Sequence, residues 1–286
     1  MPSIPYDATH RALLSPGDGD SLFLSPTQLD PSSLAALCAE CSRLAYVGFD
    51  ESDDELSRLQ KALQAAGLRG LKPFNDNEKN TGTQAFGAIC ENDDLLVAFR
   101  GTQAKKPSDL RTDLRAPMVP WRFGGQAHAG FVAAFSSIES ELDTFIQAHL
   151  GAHRLIVTGH SLGAALATLA ASRWRGATLV TFGSPRVGDA AFAGTIPAGN
   201  VQRFVNCCDF VTTVPPEWLL GYVHCGTLSY IDENGQRRSD VNAPVSPEER
   251  AILDAKFAVA HLLDPADLKD RELADHTPIN YIRAFT

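Results

Sequence analysis

The chain has 286 residues, 44% of them hydrophobic, a length and composition that suit one large α/β domain with a substantial core. Its 34 acidic side chains outweigh 25 basic ones, which argues against nucleic acid as the partner and leaves no polybasic patch for a membrane surface. No segment is apolar for long enough to span a bilayer.

The opening MPSIPYDATHRALLSP has neither the basic n-region nor the apolar h-region of a secretory signal. A cytoplasmic location is therefore expected, with leaderless export or a removed leader as the other routes. Residues 1–30 are rich in Pro, Gly, Asp and Ser and read as an irregular extension over a single domain at 31–286. Asp30-Pro31-Ser32-Ser33, with Asp30 as the N-cap acid and proline in the first turn, opens a helix expected to reach about Tyr46. A second helix runs from Ser52 to Ala66, where Gly67 stops it. Thr83–Cys90 and Leu95–Phe99 then form a hairpin about the turn Glu91–Asp94.

The stretch 103–125 is polar, broken by Pro107, Pro117 and Pro120, and carries Leu110, Leu114, Met118, Val119, Trp121 and Phe123. A loop of that length and amphipathic content reads as a short lid or binding loop. A helix over 131–149 follows, then a strand at Leu155–Val157 and a helix over 164–171. Further strands are expected at Thr178–Phe182, Val201–Asn206 and Thr227–Ile231, with a turn at Glu233-Asn234-Gly235. Ser246-Pro247-Glu248-Glu249 is a capping box that starts a helix to about Leu263. A short helix is expected in the tail, 273–285. Strands alternating with helices imply a mostly parallel central sheet with helices on both faces.

Six cysteines read as reduced thiols. Cys38 and Cys41 have C-x-x-C spacing, but they sit in a helical Ala/Leu pattern with no second pair to complete four ligands. No metal or cofactor is expected.

The chemistry centres on Gly159-His160-Ser161-Leu162-Gly163, which lies between the strand at 155–157 and the helix after it. Glycines two residues either side of a serine permit a tight turn that lifts its hydroxyl clear of the sheet and aims the first helical N–H groups at its target. Serine needs a base, a group that orients the base, and donors for an oxyanion. In an open sheet these gather beyond the C-terminal strand ends. Asp209, just after the strand 201–206, fits the acid; Asp189 and Asp232 are its rivals. Of eight histidines, His276 follows Asp209 in a late loop and gives the order Ser, Asp, His. His128 and His224 lie near loops at the same edge, and His160 should pack rather than catalyse.

Several blocks together resemble the class 3, fungal-type lipases of the α/β-hydrolase fold. They are Val97–Thr102, His128–Phe131, Val157–Ala167, Thr181–Gly188, Arg203–Asp209, Val214-Pro215-Pro216, Tyr222–Gly226 and Asp275-His276. The resemblance spans roughly 82–282. It implies Ser161, Asp209 and His276 as nucleophile, orienting acid and base of an ester hydrolase, acting on triacylglycerols or shorter-chain esters through an acyl-enzyme. It implies Thr102 as an oxyanion-hole residue beside the N–H of Leu162, a lid after Thr102, and Asp113 as a lid-border residue. Where lids of strongly interfacial members carry a large apolar residue, often tryptophan, Lys105–Asp113 is charged, with Leu110 its main apolar element. Apolar residues around this edge, Val211, Pro215, Trp218, Leu219, Leu220 and Ile279 with Leu110 and Leu114 from the lid, are candidates for acyl-chain contact. The expected partners are a lipid or small ester and, transiently, a lipid interface. A phospholipase, an acyltransferase or peptidase using the same triad, and a non-catalytic binding protein are the alternatives.

Overall fold

A computed structural model describes residues 4–24, 29–30, 33–76, 81–102, 116–151, 153–238 and 245–286. The strands are β1 (Arg69–Asn75), β2 (Gln84–Ile89), β3 (Leu95–Phe99), β4 (Met118–Pro120), β5 (Gln126–His128), β6 (Leu155–His160), β7 (Thr178–Phe182), β8 (Val201–Asn206), β9 (Thr227–Ile231) and β10 (Arg237–Arg238). Eight of them form one sheet in the order β1-β2-β3-β6-β7-β8-β9-β10, and β4 and β5 make a separate hairpin. β3, β6, β7, β8 and β9 run parallel, and antiparallel pairs close both edges.

β3 and β6 are buried along their whole length because both faces of the sheet are covered there, while β8 and β9 expose Gln202 and Thr227. Leu95, Val97 and Phe99 of β3 and Leu155 and Val157 of β6 point into one core layer. Leu96, Ala98 and Ile156, between them, point into the other. The first layer is closed by α4 (Ala129–His149) and α5 (Leu162–Arg173). The second is closed by α2 (Leu34–Leu44), α3 (Asp53–Ala65) and α10 (Pro278–Ile282). Shorter helices are α1 (His10–Leu14), α6 (Ala190–Ala193), α7 (Glu217–Leu220) and α9 (Arg271–Ala274), and α8 (Pro247–Ala260) packs on α9 and buries Phe257 in the first layer.

Several local expectations hold. Ser52 caps α3 through Glu55 N–H, and Gly67 follows it with φ +74°. Ser246 and Glu249 form the reciprocal capping box of α8, which stops at Ala260 rather than Leu263. At α2 the N-cap is Ser33, not Asp30; the Ser33 N–H instead bonds the Asp30 carbonyl and closes a turn ahead of the helix.

Two segments are more ordered than their composition suggests. In the stretch 103–125, residues 103–115 lie outside the described residues. The remainder belongs to the β4–β5 hairpin, anchored by Trp121, whose ring is buried and whose Nε1–H donates to Ser172 Oγ at 2.9 Å. The N-terminal extension forms α1 and clamps the end of the chain. His10 N–H bonds the Ala266 carbonyl, Leu268 N–H bonds the Ala8 carbonyl, and Asn280 brackets the Asp7 backbone through both N–H and C=O.

Candidate active site

β6 delivers Ser161 to the sheet's C-terminal edge, and α5 begins one residue later. Ser161 stands at φ 58°, ψ −127°, a conformation a non-glycine residue adopts only under constraint. The flanking glycines make the turn possible by close approach. A Cβ on Gly163 would sit 2.1 Å from the Phe99 carbonyl oxygen, and one on Gly159 would sit 2.3 Å from the Gly163 backbone. α5 thus starts directly against the end of β3, the strand that leads to Thr102.

Three side chains from distant parts of the sequence meet here. The Ser161 hydroxyl donates to His276 Nε2 at 2.9 Å. His276 Nδ1–H faces both carboxylate oxygens of Asp209, at 3.0 and 2.9 Å. Ser161, Asp209 and His276 retain 4%, 0% and 1% of their exposure, so the chain of hydrogen bonds runs through a water-poor interior. Asp209 also accepts from Val211 N–H at 2.9 Å and from the Tyr281 hydroxyl at 2.5 Å. Burial, then the Asp209 charge, pushes the Tyr281 phenol well up, which keeps it a donor. The two rival acids serve as structural caps. Asp189 accepts from Phe192 N–H at the start of α6, and Asp232 holds the β9–β10 turn through Asn234 and Gln236 N–H.

His160 packs, as expected, and also ties the site together. Its Nε2–H donates to the His276 carbonyl at 2.6 Å, and its Nδ1 accepts from the Tyr46 hydroxyl at 2.9 Å. Gly101 is pressed against the same tyrosine: a Cβ there would lie 2.0 Å from the Tyr46 oxygen. Tyr46 therefore braces the segment leading to Thr102, the serine turn and the histidine loop at one point. His128 Nδ1 accepts from Phe131 N–H as the cap of α4. His224 bonds the Thr212 carbonyl at 2.8 Å.

His160 and His224 remain neutral in the fold. Burial, then the neighbouring His276, holds His160 well below the usual imidazole range. Burial, then Arg203 and Arg186, pushes His224 from 6.5 to about 3. In the unfolded chain both rings take up a proton near pH 6.5, so below that pH the unfolded state binds more protons and stability falls. Between pH 6.5 and 3, His224 contributes about 1.4 kcal/mol per pH unit to that fall. Denaturant unfolding at pH 7 and pH 5 should show the loss in the native protein and a smaller one in His224→Gln. Equal losses would remove His224 from the account.

The oxyanion candidates flank the serine. The Leu162 N–H is the first of α5 and has no intrahelical acceptor. Thr102 follows Gly101, which packs on the His160 carbonyl. The acyl-contact candidates scatter. Val211 is buried in the first core layer and serves Asp209 through its N–H. Pro215 is buried and Trp218 is 84% exposed on α7. Ile279 packs against the second core layer and lines a cleft with Asp7, Thr9 and Arg43. Leu110, Asp113 and Leu114, and the side chains of Leu219 and Leu220, lie outside the described residues. The cysteines of the C-x-x-C pair are both buried in α2; burial pushes the Cys38 thiol up to about 12 and Cys41 well above its ordinary range. Sequence patterns gave no notice of Tyr46 and Tyr281, because each reaches the site from a distant segment.

The family model "Lipase (class 3)" matches residues 96–218. The secreted mono- and diacylglycerol lipase A of Penicillium camembertii is 30% identical over 256 residues, covering 84% of this chain and 80% of that protein. The chain belongs to the class 3 lipase family. A Rhizopus niveus lipase is 34% identical over 153 residues, 48% of this chain; the matched part spans only 38% of that lipase's length. Among solved structures, the lipase of Rhizopus microsporus var. chinensis superposes with a TM-score of 0.57 at 26% identity, over 81% of this chain and 84% of that one. The family match begins within β3, includes the serine turn and Asp209, and ends before His276. The wider Penicillium likeness reaches over most of the chain, and the fold is that of the α/β-hydrolase lipases.

Proposed function

We propose that this protein is a serine hydrolase that cleaves carboxylic esters of the acylglycerol type through an acyl-enzyme. The observation that carries the reading is the unbroken hydrogen-bond chain from Ser161 through His276 to Asp209, with Ser161 lifted on a strained turn. His276 Nε2 takes the serine proton as Oγ attacks the ester carbonyl, and Asp209 holds the ring in the tautomer that can accept it. The N–H groups of Leu162 and Thr102 receive the developing oxyanion. His276 then gives the proton to the leaving alcohol and draws one from the water that deacylates Ser161. No step calls on a metal or cofactor.

Residues 103–115 are the proposed lid, and α7, with Trp218 almost fully exposed beside Pro215, is the proposed rim of the acyl site. A largely exposed tryptophan suits the boundary between water and lipid. Against that stands the charged run Lys105–Asp113, which favours a modest response to an interface.

Glycerol esters of rising acyl length, followed through each solubility limit with Ser161→Ala as blank, test the reading. A rate that climbs when droplets form and persists with long chains is the result for a lipase whose lid opens at an interface. A rate that saturates below the limit and fades with chain length is the result for an esterase of soluble esters. No Ser161-dependent hydrolysis of any ester would refute the proposal.

A further inference from the structure

β8 runs straight into Cys207-Cys208, and the next residue is Asp209. Both thiols are wholly buried, with the two Sγ atoms 3.4 Å apart. The peptide joining them is held from the far side of the site: the Cys208 N–H donates to Asp275 Oδ2 at 3.0 Å. Asp275 is the residue before His276, and it also accepts from the Tyr6 hydroxyl at 2.6 Å and from Arg271 Nε at 3.2 Å. The Cys208 carbonyl accepts from the Arg250 guanidinium. The Tyr230 hydroxyl is buried next to Cys207.

We propose that Cys207 and Cys208 form an oxidation site for hydroperoxides, closing to a vicinal disulfide that disables the neighbouring catalytic centre. The Cys207 thiolate attacks the outer oxygen of R–OOH. An S–O bond forms, the O–O bond breaks, and R–O⁻ leaves with the thiol's proton as R–OH. Cys208 sulfur then attacks Cys207 sulfur. The S–S bond forms, the S–O bond breaks, and hydroxide leaves with the Cys208 proton as water. The two thiols lose two electrons, and the hydroperoxide gains them. The other thiols are poor competitors, since burial pushes Cys38, Cys41, Cys90 and Cys225 up and so disfavours the reactive thiolate. Within the pair, the hydrogen bond from Cys208 lowers Cys207 against burial and the Asp275 charge, with Arg271 and Tyr230 helping, and the same contact raises Cys208, so Cys207 is the thiol that reacts first.

Closure has a geometric consequence. The sulfurs must approach by about 1.4 Å to reach bonding distance. The new ring contains the peptide whose N–H holds Asp275, so twisting that peptide loosens the Asp275 anchor. One covalent link further on lie Asp209 in one direction and His276 in the other. The same three side chains, Cys207, Cys208 and Asp275, lie close enough to surround a metal ion. Both Asp275 oxygens are already engaged, however, and the Arg271 cation bonds one of them, which opposes a second cation. Neither cysteine lines the open cleft of about 590 Å³ formed by Arg186, Arg250, Asp254, Asp270 and Glu272, but its Arg250 holds the Cys208 carbonyl, and a small oxidant would have to enter past that side chain.

Hydrogen peroxide followed by alkylation of the remaining thiols tests the proposal on the full chain. The peptide carrying Cys207 and Cys208 should lose a pair of hydrogens and escape alkylation. Ester turnover should fall about a hundredfold in step, as expected for a misplacement near 1 Å, and dithiothreitol should restore both. The Cys207→Ser/Cys208→Ser variant, which keeps the backbone N–H to Asp275, should turn over normally and ignore the same treatment. Equal peroxide losses in variant and native protein, or irreversible oxidation of Cys207 with Cys208 still alkylated, would overturn the proposal. Only the turnover arm rests on the ester-hydrolase reading. The mass change and its reversal need no variant and are readable whatever the substrate proves to be.

Discussion

Ser161→Ala should lower turnover of a soluble ester by roughly a millionfold, His276→Ala by a similar factor, and the double variant by no more than either alone. The reason is the single proton path. The Ser161 hydroxyl and His276 Nε2 share one hydrogen bond at 2.9 Å, and among the described residues neither atom has another hydrogen-bond partner to pass the proton to. Removing one therefore makes the other useless for attack, and the residual rate reflects binding and the proposed oxyanion donors, the N–H groups of Leu162 and Thr102. Multiplying losses in the double variant would sink the idea that these two residues act as a unit. The same serine carries a stability prediction of opposite sign. Its φ of 58° and ψ of −127° are held against an intrinsic cost of about 1–3 kcal/mol. Ser161→Gly relieves that cost, partly offset by the glycine's extra freedom when unfolded, of about 0.5–1 kcal/mol. It should therefore unfold later than Ser161→Ala by about 1 kcal/mol while being just as inactive. Paired denaturant curves measure the difference, and a less stable glycine variant would mean the turn is not strained.

The parallel part of the fold was legible because its physics is local. Strands buried on both faces must be largely apolar, and β3 and β7 run where the sequence at 95–99 and 178–182 places them; β8 and β9 also lie at the expected 201–206 and 227–231, though Gln202 and Thr227 are exposed. β1 was not. Its sequence Arg69-Gly-Leu-Lys-Pro-Phe-Asn75 buries only Phe74, and Pro73 is tolerated because the strand lies at the sheet edge. Nor was the β4–β5 hairpin, whose order comes from Trp121 docking onto α5 rather than from its own pattern. The site divides in the same way. Ser161 announces itself by its neighbours and Asp209 by following a strand. Tyr6, Tyr46 and Tyr281 reach their partners across 269, 114 and 72 residues, so no window of sequence contains both ends. An N-terminal stretch that reads as loose chain becomes, through Tyr6 and Asp7, a clamp on the segment that carries His276.

Asp209→Asn should lower turnover by about ten-thousandfold with little change in KM, far beyond the value of one hydrogen bond. The carboxylate accepts everything around it: Val211 N–H on Oδ1, the Tyr281 hydroxyl on Oδ2, and His276 Nδ1–H between them. An amide turns one of those acceptors into a donor. At Oδ1 the new NH₂ would oppose the fixed Val211 N–H, with no way for either to turn. At Oδ2 it meets the Tyr281 hydroxyl, which can rotate to accept, so the amide nitrogen settles there. It then faces His276 Nδ1 at about the former 2.9 Å contact and favours the tautomer with Nδ1 bare and Nε2 protonated. That form presents an N–H to Ser161 and cannot take its proton. The hydroxyl of Tyr281 supports the carboxylate without choosing the tautomer. Tyr281→Phe should therefore lose no more than the 1.5–3 kcal/mol of a hydrogen bond to a charge, about a hundredfold at most. The two variants thus separate orientation of the imidazole from plain support of a buried anion. If Asp209→Asn lost only as much as Tyr281→Phe, the carboxylate would be stabilising the fold around His276 rather than selecting the proton position that makes Ser161 a nucleophile.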